Sequence, residues 1–188
     1  LTNEKLSIRQ GLHRFRWSMK HTGAWHKDKK KSYKDGPLAK PGNYLIKLRT
    51  GDLEITRNLV LITDPRITLS GVSDEDIYLQ VDLQLKIIDF LSETRKLTEQ
   101  LLAEQKSLLA NAKNEISSSQ DKMRLKIIEQ AIKELQTEEG TYMQPMLIDQ
   151  IIYLYNMTDK ADQIPGKEAE DRYFELKSIF SEIVSGLS

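Results

Sequence analysis

Residues 73–91 read SDEDIYLQVDLQLKIIDFL, and they decide the fold because the spacing of apolar side chains changes here. From Ile77 onward, apolar residues recur every three or four positions, which is the repeat of an amphipathic helix. Ser73 can cap the first free N–H groups, and the acidic residues that follow it favour the positive end of the helix dipole. The pattern resumes near residue 101 and predicts a helix of about 40 residues, about 60 Å long.

Three further helices are predicted after this one. A polar run at residues 117–119 can cap the second, and Gly140 ends it; Pro145 suits the first turn of the third, and Pro165-Gly166 separates the third from the fourth. The apolar positions expected on their core faces are Met123, Ile127, Ala131, Leu135, Met146, Leu147, Ile151, Leu154, Tyr155, Tyr173, Leu176, Ile179, Phe180 and Ile183. Because short links make neighbouring helices antiparallel, residues 71–188 are predicted to form an antiparallel four-helix bundle.

Upstream of residue 70 the pattern is that of strands and turns. In residues 11–17, His13, Phe15 and Trp17 alternate with arginines, which is typical of a half-buried strand. Residues 43–49 alternate in the same way, and residues 53–63 form a third apolar run after a turn at Gly51-Asp52 that is short enough to close a hairpin. Residues 1–70 are therefore predicted to form all or part of a small Ig-like β-sandwich, and the fold class is a segregated α+β.

Three strands cannot bury both faces of a sheet by themselves. Either residues 1–8 and the loop at 20–40 complete the sandwich, or the helical part covers it. Residues 59–62 are apolar on both parities, which predicts an apolar seam: one parity packs inside the sandwich, and the other meets the bundle near Ile77 and Val81 or a further domain. On this hypothesis Val60 and Ile62 hold the two halves together.

Composition excludes several classes of protein. Charged and apolar residues are balanced as in a soluble globular protein, and no apolar run approaches the roughly 20 residues of a membrane span. The absence of cysteine removes disulfides, thiol nucleophiles and zinc–thiolate sites. The net charge of zero hides an asymmetry, because residues 1–66 carry 15 Lys/Arg against 6 Asp/Glu and residues 67–188 carry 13 against 22.

Several motifs together resemble one family. The sequences GLHRFRW at 11–17, GPLAKPGNYLIKL at 36–48 and DPR at 64–66 resemble the C-terminal region of bacterial sortilin-like proteins with BNR repeats, which are often labelled glycosyl hydrolases. The sequences YLYNM at 153–157, ADQIPG at 161–166 and RYFEL at 172–176 are similar to the helical tail of the same proteins. The Pro-Gly-x-Tyr strand at 41–44 is also similar to the Ig-like domain of flagellar hook-capping proteins.

The resemblance implies a non-catalytic accessory or interaction module at the C-terminal end of a larger secreted, periplasmic or cell-surface bacterial protein. Its partner would be an upstream β-propeller of the same chain, where any glycosidase chemistry would be expected. Two alternatives remain open: the chain contributes to a glycoside hydrolase site formed mainly by the missing domain, or it binds carbohydrate or a protein independently.

The residues themselves point to no catalytic, metal or cofactor site. Most acidic residues after residue 66 lie opposite the apolar stripes, as solvated surface does, and neither a nucleophile elbow nor a phosphate-binding glycine loop is present. His13, His21 and His26 lack the helical spacing of metal ligands, and His13 shares the parity of the strand's core residues. No cofactor is predicted.

Two aromatic residues are candidate contacts for a ligand or partner. Trp25 lies in an irregular Gly-containing stretch, where an exposed indole could stack on a sugar or a protein, or could instead fill the seam to the bundle. Tyr33 lies within a basic run formed by Lys27, Lys29, Lys30, Lys31 and Lys34. Such a run is typical of a solvated loop tip or of a contact with the acidic half, and no nucleic-acid partner is expected.

Overall fold

The computed structural model describes residues 7, 9–113 and 118–187 of the chain. In order, it contains strands β1 (Gly42–Thr50) and β2 (Leu53–Leu61), then helices α1 (Pro65–Leu69), α2 (Asp74–Lys113), α3 (Ser119–Leu135), α4 (Leu147–Thr158) and α5 (Lys167–Gly186). Strands precede long helices, as the change of period at residue 73 predicts. The α+β class is confirmed, with a two-stranded antiparallel sheet as the β part of the described chain.

The hairpin forms as the turn signal predicts. β1 and β2 pair antiparallel from Gly42 opposite Leu61 to Thr50 opposite Leu53. Gly51 begins the two-residue turn with φ +55°, a left-handed conformation that glycine adopts without strain. The predicted strand at residues 11–17 is not found: residues 12–17 form no ladder, because no neighbouring strand offers them hydrogen bonds. Within the described residues a second sheet is therefore not seen.

The core lies among the four long helices, and α2 runs through its centre. The fourteen buried residues of the core come from all four helices; the fully buried ones include Ile87, Ile128, Leu135, Ile151 and Leu176. Phe90 of α2 makes edge-on ring contacts with Tyr173 and Phe180 of α5, at centroid distances of 6.0 and 5.5 Å. Burial of these side chains, each worth about 1.5–3 kcal/mol, is the main source of the bundle's stability.

Contacts at the helix ends show which neighbours run antiparallel. Gln80, near the beginning of α2, donates to the carbonyl of Thr158 at the end of α4, over 2.6 Å. Arg124, near the beginning of α3, donates to the carbonyl of Leu187, just beyond α5. These contacts indicate that α2 runs antiparallel to α4 and that α3 runs antiparallel to α5.

The predicted helices need several corrections. The predicted core face of α3 is wrong in its first half, since Met123 and Ile127 are exposed and Ile128 is buried instead. The buried stripe keeps the predicted positions 131 and 135 but passes through 128 instead of 127. α3 ends at Leu135, before Gly140, and α4 begins at Leu147, two residues after Pro145. The predicted start of the second helix is confirmed, because Ser118 and Asp121 form a capping box.

Candidate functional site

One face of the hairpin is apolar and faces solvent. Side chains opposite each other in an antiparallel ladder share a face, so the register fixes the composition of both faces. We call one of them the apolar hairpin face; its apolar side chains are Tyr44, Ile46, Leu48, Leu53, Ile55, Leu59 and Leu61. The same face also carries Thr50 and, opposite Ile46, the charged Arg57. Near the turn its apolar side chains are between 40% and 57% exposed, whereas Tyr44, Leu59 and Leu61 at the base are half-buried.

The opposite face of the hairpin is mainly polar. Glu54 accepts hydrogen bonds from Arg49 Nε (2.5 Å), and its carboxylate lies 3.1 Å from Lys47 Nζ. The hydrogen bond from Arg49 and that from Lys47 hold the pKa of Glu54 below its usual range. Leu45 and Val60 are the large apolar side chains on this face. The hairpin is therefore amphipathic: its polar face is suited to contact with water, and its apolar face is not.

The junction between hairpin and bundle is aromatic and polar rather than aliphatic. The rings of Trp17 and Tyr44 lie 5.4 Å apart. Tyr78 of α2 donates to the carbonyl of Pro41 over 3.0 Å, and Lys40 pairs with Asp82. The predicted contact of Val60 and Ile62 with the bundle is wrong, because these side chains are 59% and 80% exposed; contact with a further domain stays a prediction. Their parity points away from the bundle, because Tyr44 and its cross-strand neighbour Leu59 occupy the inward side at the base.

A second feature is the lysine loop, which we define as residues 24–35. Asp28 organises its tip: its carboxylate accepts from the N–H of Lys30 (2.8 Å), and its carbonyl accepts from the N–H groups of Lys31 and Ser32 (3.0 Å each). The Tyr33 N–H donates to the carbonyl of Ala24 over 2.9 Å and closes the loop. The lysine run therefore sits on a folded turn.

Close backbone packing fixes the base of the lysine loop. A Cβ atom on Gly23 would lie 1.7 Å from the carbonyl oxygen of Lys34, and one on Gly36 would lie 2.4 Å from that of His21. Neither distance is compatible with a side chain. The two glycines allow the incoming and outgoing chains to touch, which positions the loop above α2.

Residues from the lysine loop, α2 and α4 line an open cleft of about 450 Å³. We call it the lysine-loop cleft; its apolar side is formed by Ala24, Ile88, Leu91 and Ile152, and its polar side by His26, Lys30, Lys31, Lys34, Asp35, Arg95 and Tyr155. Apart from Asp35, the charged groups are cationic. The volume is that of a small-molecule site.

Two polar groups reach the cleft from the helices. Arg95 Nη1 donates to the carbonyl of Trp25 over 3.2 Å, and the Tyr155 hydroxyl donates to that of Asp35 over 3.2 Å. Burial lowers the pKa of the Arg95 guanidinium, an effect partly offset by the carboxylate of Asp149. Burial also raises the pKa of the Tyr155 hydroxyl, which therefore remains protonated and able to donate.

A second concave surface lies between α3 and α5. This groove of about 470 Å³ has an apolar floor that includes Ile127, Ile179 and Ile183. Glu134 and Glu182 lie on its lining, and both are exposed. A glycosidase acid needs a raised pKa, which burial in a dry site provides. Neither glutamate has such surroundings.

The chain matches no protein-family model, no curated protein and no solved structure. Function must therefore be argued from these surfaces. Within residues 7, 9–113 and 118–187, no three His, Asp or Glu side chains come together as metal ligands would. Across the same residues, every helix is too short or too polar to cross a bilayer.

The two candidate contact residues from the sequence have different surroundings. Trp25 is half-buried; its backbone N–H donates to Ser92 Oγ over 2.9 Å, and its backbone carbonyl accepts from Arg95. It therefore lies in the seam with α2. Tyr33 is 55% exposed with φ +59°. A role of either residue in ligand or partner contact stays a prediction.

The histidines are dispersed, and the sequence missed one important cation. His13 is exposed, so its predicted place beside the core is wrong; without strand pairing, its parity has no inward side. His21 is half-buried, and burial lowers its pKa. Arg95 was missed although a signal existed: it follows Ile88 and Leu91 by seven and four positions, which places a cation on an apolar helix stripe.

Proposed function

We propose that this chain is a non-catalytic accessory module that docks against a second β-sheet through the apolar hairpin face. The second sheet would complete an Ig-like sandwich and would belong to a neighbouring β-rich domain. The resemblance to sortilin-like BNR-repeat proteins suggests that this neighbour is an upstream propeller of a secreted bacterial protein. The observation that carries the proposal is the half-exposed face of the hairpin, which is apolar except for Thr50 and Arg57 and which the bundle leaves uncovered.

The hairpin needs support from a further layer. A two-stranded hairpin is marginal in water unless a third strand or a packed layer supports it. Here Tyr78 and Asp82 of α2 contact Pro41 and Lys40, just before β1, and the apolar side chains near the turn stay 40% to 57% exposed. Among the residues that the structure describes, no further strand pairs with either outer edge of the hairpin, whose outward backbone groups therefore lack a strand partner. A sheet packed about 10 Å away would cover the apolar side chains and leave the charged face in water.

The expected gain from docking follows from present exposure. Full burial of an isoleucine is worth about 1.5–3 kcal/mol. Ile46 is 50% exposed, so covering it adds about 1 kcal/mol, which is about fivefold in Kd. Leu48, Leu53 and Ile55 are exposed to a similar degree and extend the same face. Together they provide the apolar centre that a stable interface needs.

The experiment tests docking directly. The reading frame that encodes this chain identifies the segment that precedes Leu1, and that segment can be expressed separately and titrated with the chain by isothermal calorimetry. We expect Ile46→Ser to weaken binding by about fivefold, from the area argument above. Leu45→Ser is the matched control, since Leu45 is equally exposed (56%) but lies on the opposite face.

Three outcomes would contradict the proposal. A preceding segment without a β-rich domain would remove the partner. Equal loss of affinity in Leu45→Ser and Ile46→Ser would show that the apolar hairpin face is not the interface. Self-association of the chain in sedimentation, abolished by Ile46→Ser, would assign the face to a second copy instead.

A further inference from the structure

The lysine-loop cleft joins four positive side chains to an apolar wall. Lys30, Lys31, Lys34 and Arg95 line it, with His26 beside them and Asp35 as the acidic member of the lining. Like charges so close together repel one another in the absence of an anion. Lys27 is the loop cation that is neutralised locally, by Glu99 of α2 at 2.6 Å. The cations that line the cleft have no such partner among the salt bridges of the described residues.

Arg95 is the most informative of these groups. A guanidinium carries five N–H donors in a planar fork that matches a carboxylate or phosphate. In the part of the chain that the structure describes, Arg95 makes one hydrogen bond, to the carbonyl of Trp25, and no salt bridge. It is half-buried, so its remaining donors have limited access to water. An anion in the cleft would satisfy them.

The opposite wall selects for more than charge. Ala24, Ile88, Leu91 and Ile152 form an apolar surface that a free inorganic anion cannot use. An occupant that satisfies both walls has an anionic group and an apolar body, within about 450 Å³.

We propose that the lysine-loop cleft binds a small organic anion that carries an apolar group, such as an aryl phosphate or an aryl carboxylate. Arg95 holds the anionic group through its fork, and Lys30, Lys31 and Lys34 add charge from the rim. The apolar group lies against Ile88, Leu91 and Ile152. The site is preformed, because Gly23, Gly36 and the Asp28 turn fix the loop. It is separate from the apolar hairpin face and does not depend on docking there.

The test measures the binding of 1-naphthyl phosphate, as the probe, to the whole chain by isothermal calorimetry at low salt. We expect saturable binding that weakens with added NaCl, since screening reduces the attraction. Arg95→Gln should weaken binding by about tenfold or more, as loss of a charge-assisted bidentate pair does. Lys34→Gln should weaken it by a few-fold. Lys29→Gln is the matched control, because it removes the same charge from the same loop outside the cleft, and its effect should stay within about twofold.

Further arms separate the possible sources of a signal. Inorganic phosphate should bind more weakly than 1-naphthyl phosphate, and uncharged 1-naphthol should not compete. Arg95→Lys keeps the charge and loses the fork, so it should bind with intermediate affinity; it also carries the test if Arg95→Gln fails to fold by circular dichroism. Ile46→Ser should bind as the unmodified chain does, which distinguishes this site from the hairpin.

Several results would overturn the proposal. Absence of saturable binding at millimolar probe would exclude a site of this chemistry. Equal affinity of inorganic and naphthyl phosphate would remove the role of the apolar wall. Equal losses in Lys29→Gln and Lys34→Gln would reduce the effect to general charge. Tighter binding of an oligoglutamate peptide than of the probe would assign the surface to an acidic protein partner.

Discussion

Two buried glutamines on α2 hold the end of α4, and their removal gives a quantitative test of the packing. Gln80 and Gln84 are 4% and 3% exposed. The amide nitrogen of Gln80 donates to the carbonyls of Thr158 and Ala161, both at 2.6 Å, and its oxygen accepts from the N–H of Gln163 at 3.2 Å. Gln84 donates once, also to Thr158, at 2.8 Å. The Thr158 carbonyl is thus shared by both glutamines.

The expected cost differs between the two positions. A hydrogen bond contributes about 0.5–1.5 kcal/mol net, and a buried group left without a partner costs about 1–3 kcal/mol. Gln80→Leu removes three hydrogen bonds and leaves partners in a loop that is only partly buried, so we expect a loss of about 2–4 kcal/mol. Gln84→Leu removes one bond to a carbonyl that Gln80 still satisfies, and we expect about 1 kcal/mol.

The double variant tests the shared acceptor. With both glutamines replaced, the Thr158 carbonyl loses both side-chain donors at once, so the combined loss should exceed the sum of the single losses by about 1 kcal/mol. The assay is urea unfolding followed by circular dichroism at 222 nm. Gln130→Leu is the surface control, because Gln130 is exposed and bonds only within α3, to Glu134. The reasoning fails if Gln80→Leu costs no more than Gln130→Leu, or if the two buried changes are additive.

Three further predictions concern the helix caps and the α3–α5 groove. Ser118→Ala should lower the free energy of unfolding by about 0.5–2 kcal/mol, measured by urea unfolding, because the hydroxyl caps α3. The Ser118 N–H also holds the pKa of the Asp121 carboxyl below its usual range. The stability that ionised Asp121 contributes is therefore present above its unfolded pKa and is lost as pH falls through its folded pKa. In acid titrations of stability, the difference in unfolding free energy between the unmodified chain and Asp121→Asn should shrink toward pH 2.5. The purified chain should not hydrolyse 4-nitrophenyl glycosides, and turnover abolished by Glu134→Gln or Glu182→Gln would contradict a non-catalytic role.

Features that depend on neighbours in the sequence could be predicted well. The capping box needs only Ser118 and Asp121, three residues apart, and the turn needs only Gly51 followed by Asp52. The long helix after residue 73 follows from a repeat sustained over many turns. In each case the stabilising partners lie within a few positions, so the local pattern carries the energy that decides the structure.

Features that depend on distant partners could not be predicted in the same way. Alternation at residues 11–17 was sufficient to predict a strand but not to supply the neighbouring strand that a ladder requires. The lysine-loop cleft needs Arg95 and Tyr155 to meet a loop about 60 to 120 positions earlier in the chain. Close backbone packing at Gly23 and Gly36 positions the loop for its contacts with Arg95 and Tyr155, and no residue spacing in the sequence predicts those contacts.

The opposite net charges of residues 1–66 and residues 67–188 contribute little to the attachment between these two parts. In the described ranges, two ion pairs join the basic residues before 67 to the acidic helices: Lys27 with Glu99 and Lys40 with Asp82. Lys27 is 70% and Asp82 52% exposed, and surface pairs of this kind are worth about 0–1 kcal/mol each. The hydrogen bond from Tyr78 to the Pro41 carbonyl is a further link between the two halves, and because it involves no ion pair, salt should hardly affect it. The uncompensated positive charge is left at the rim of the lysine-loop cleft, where it can act on an external anion.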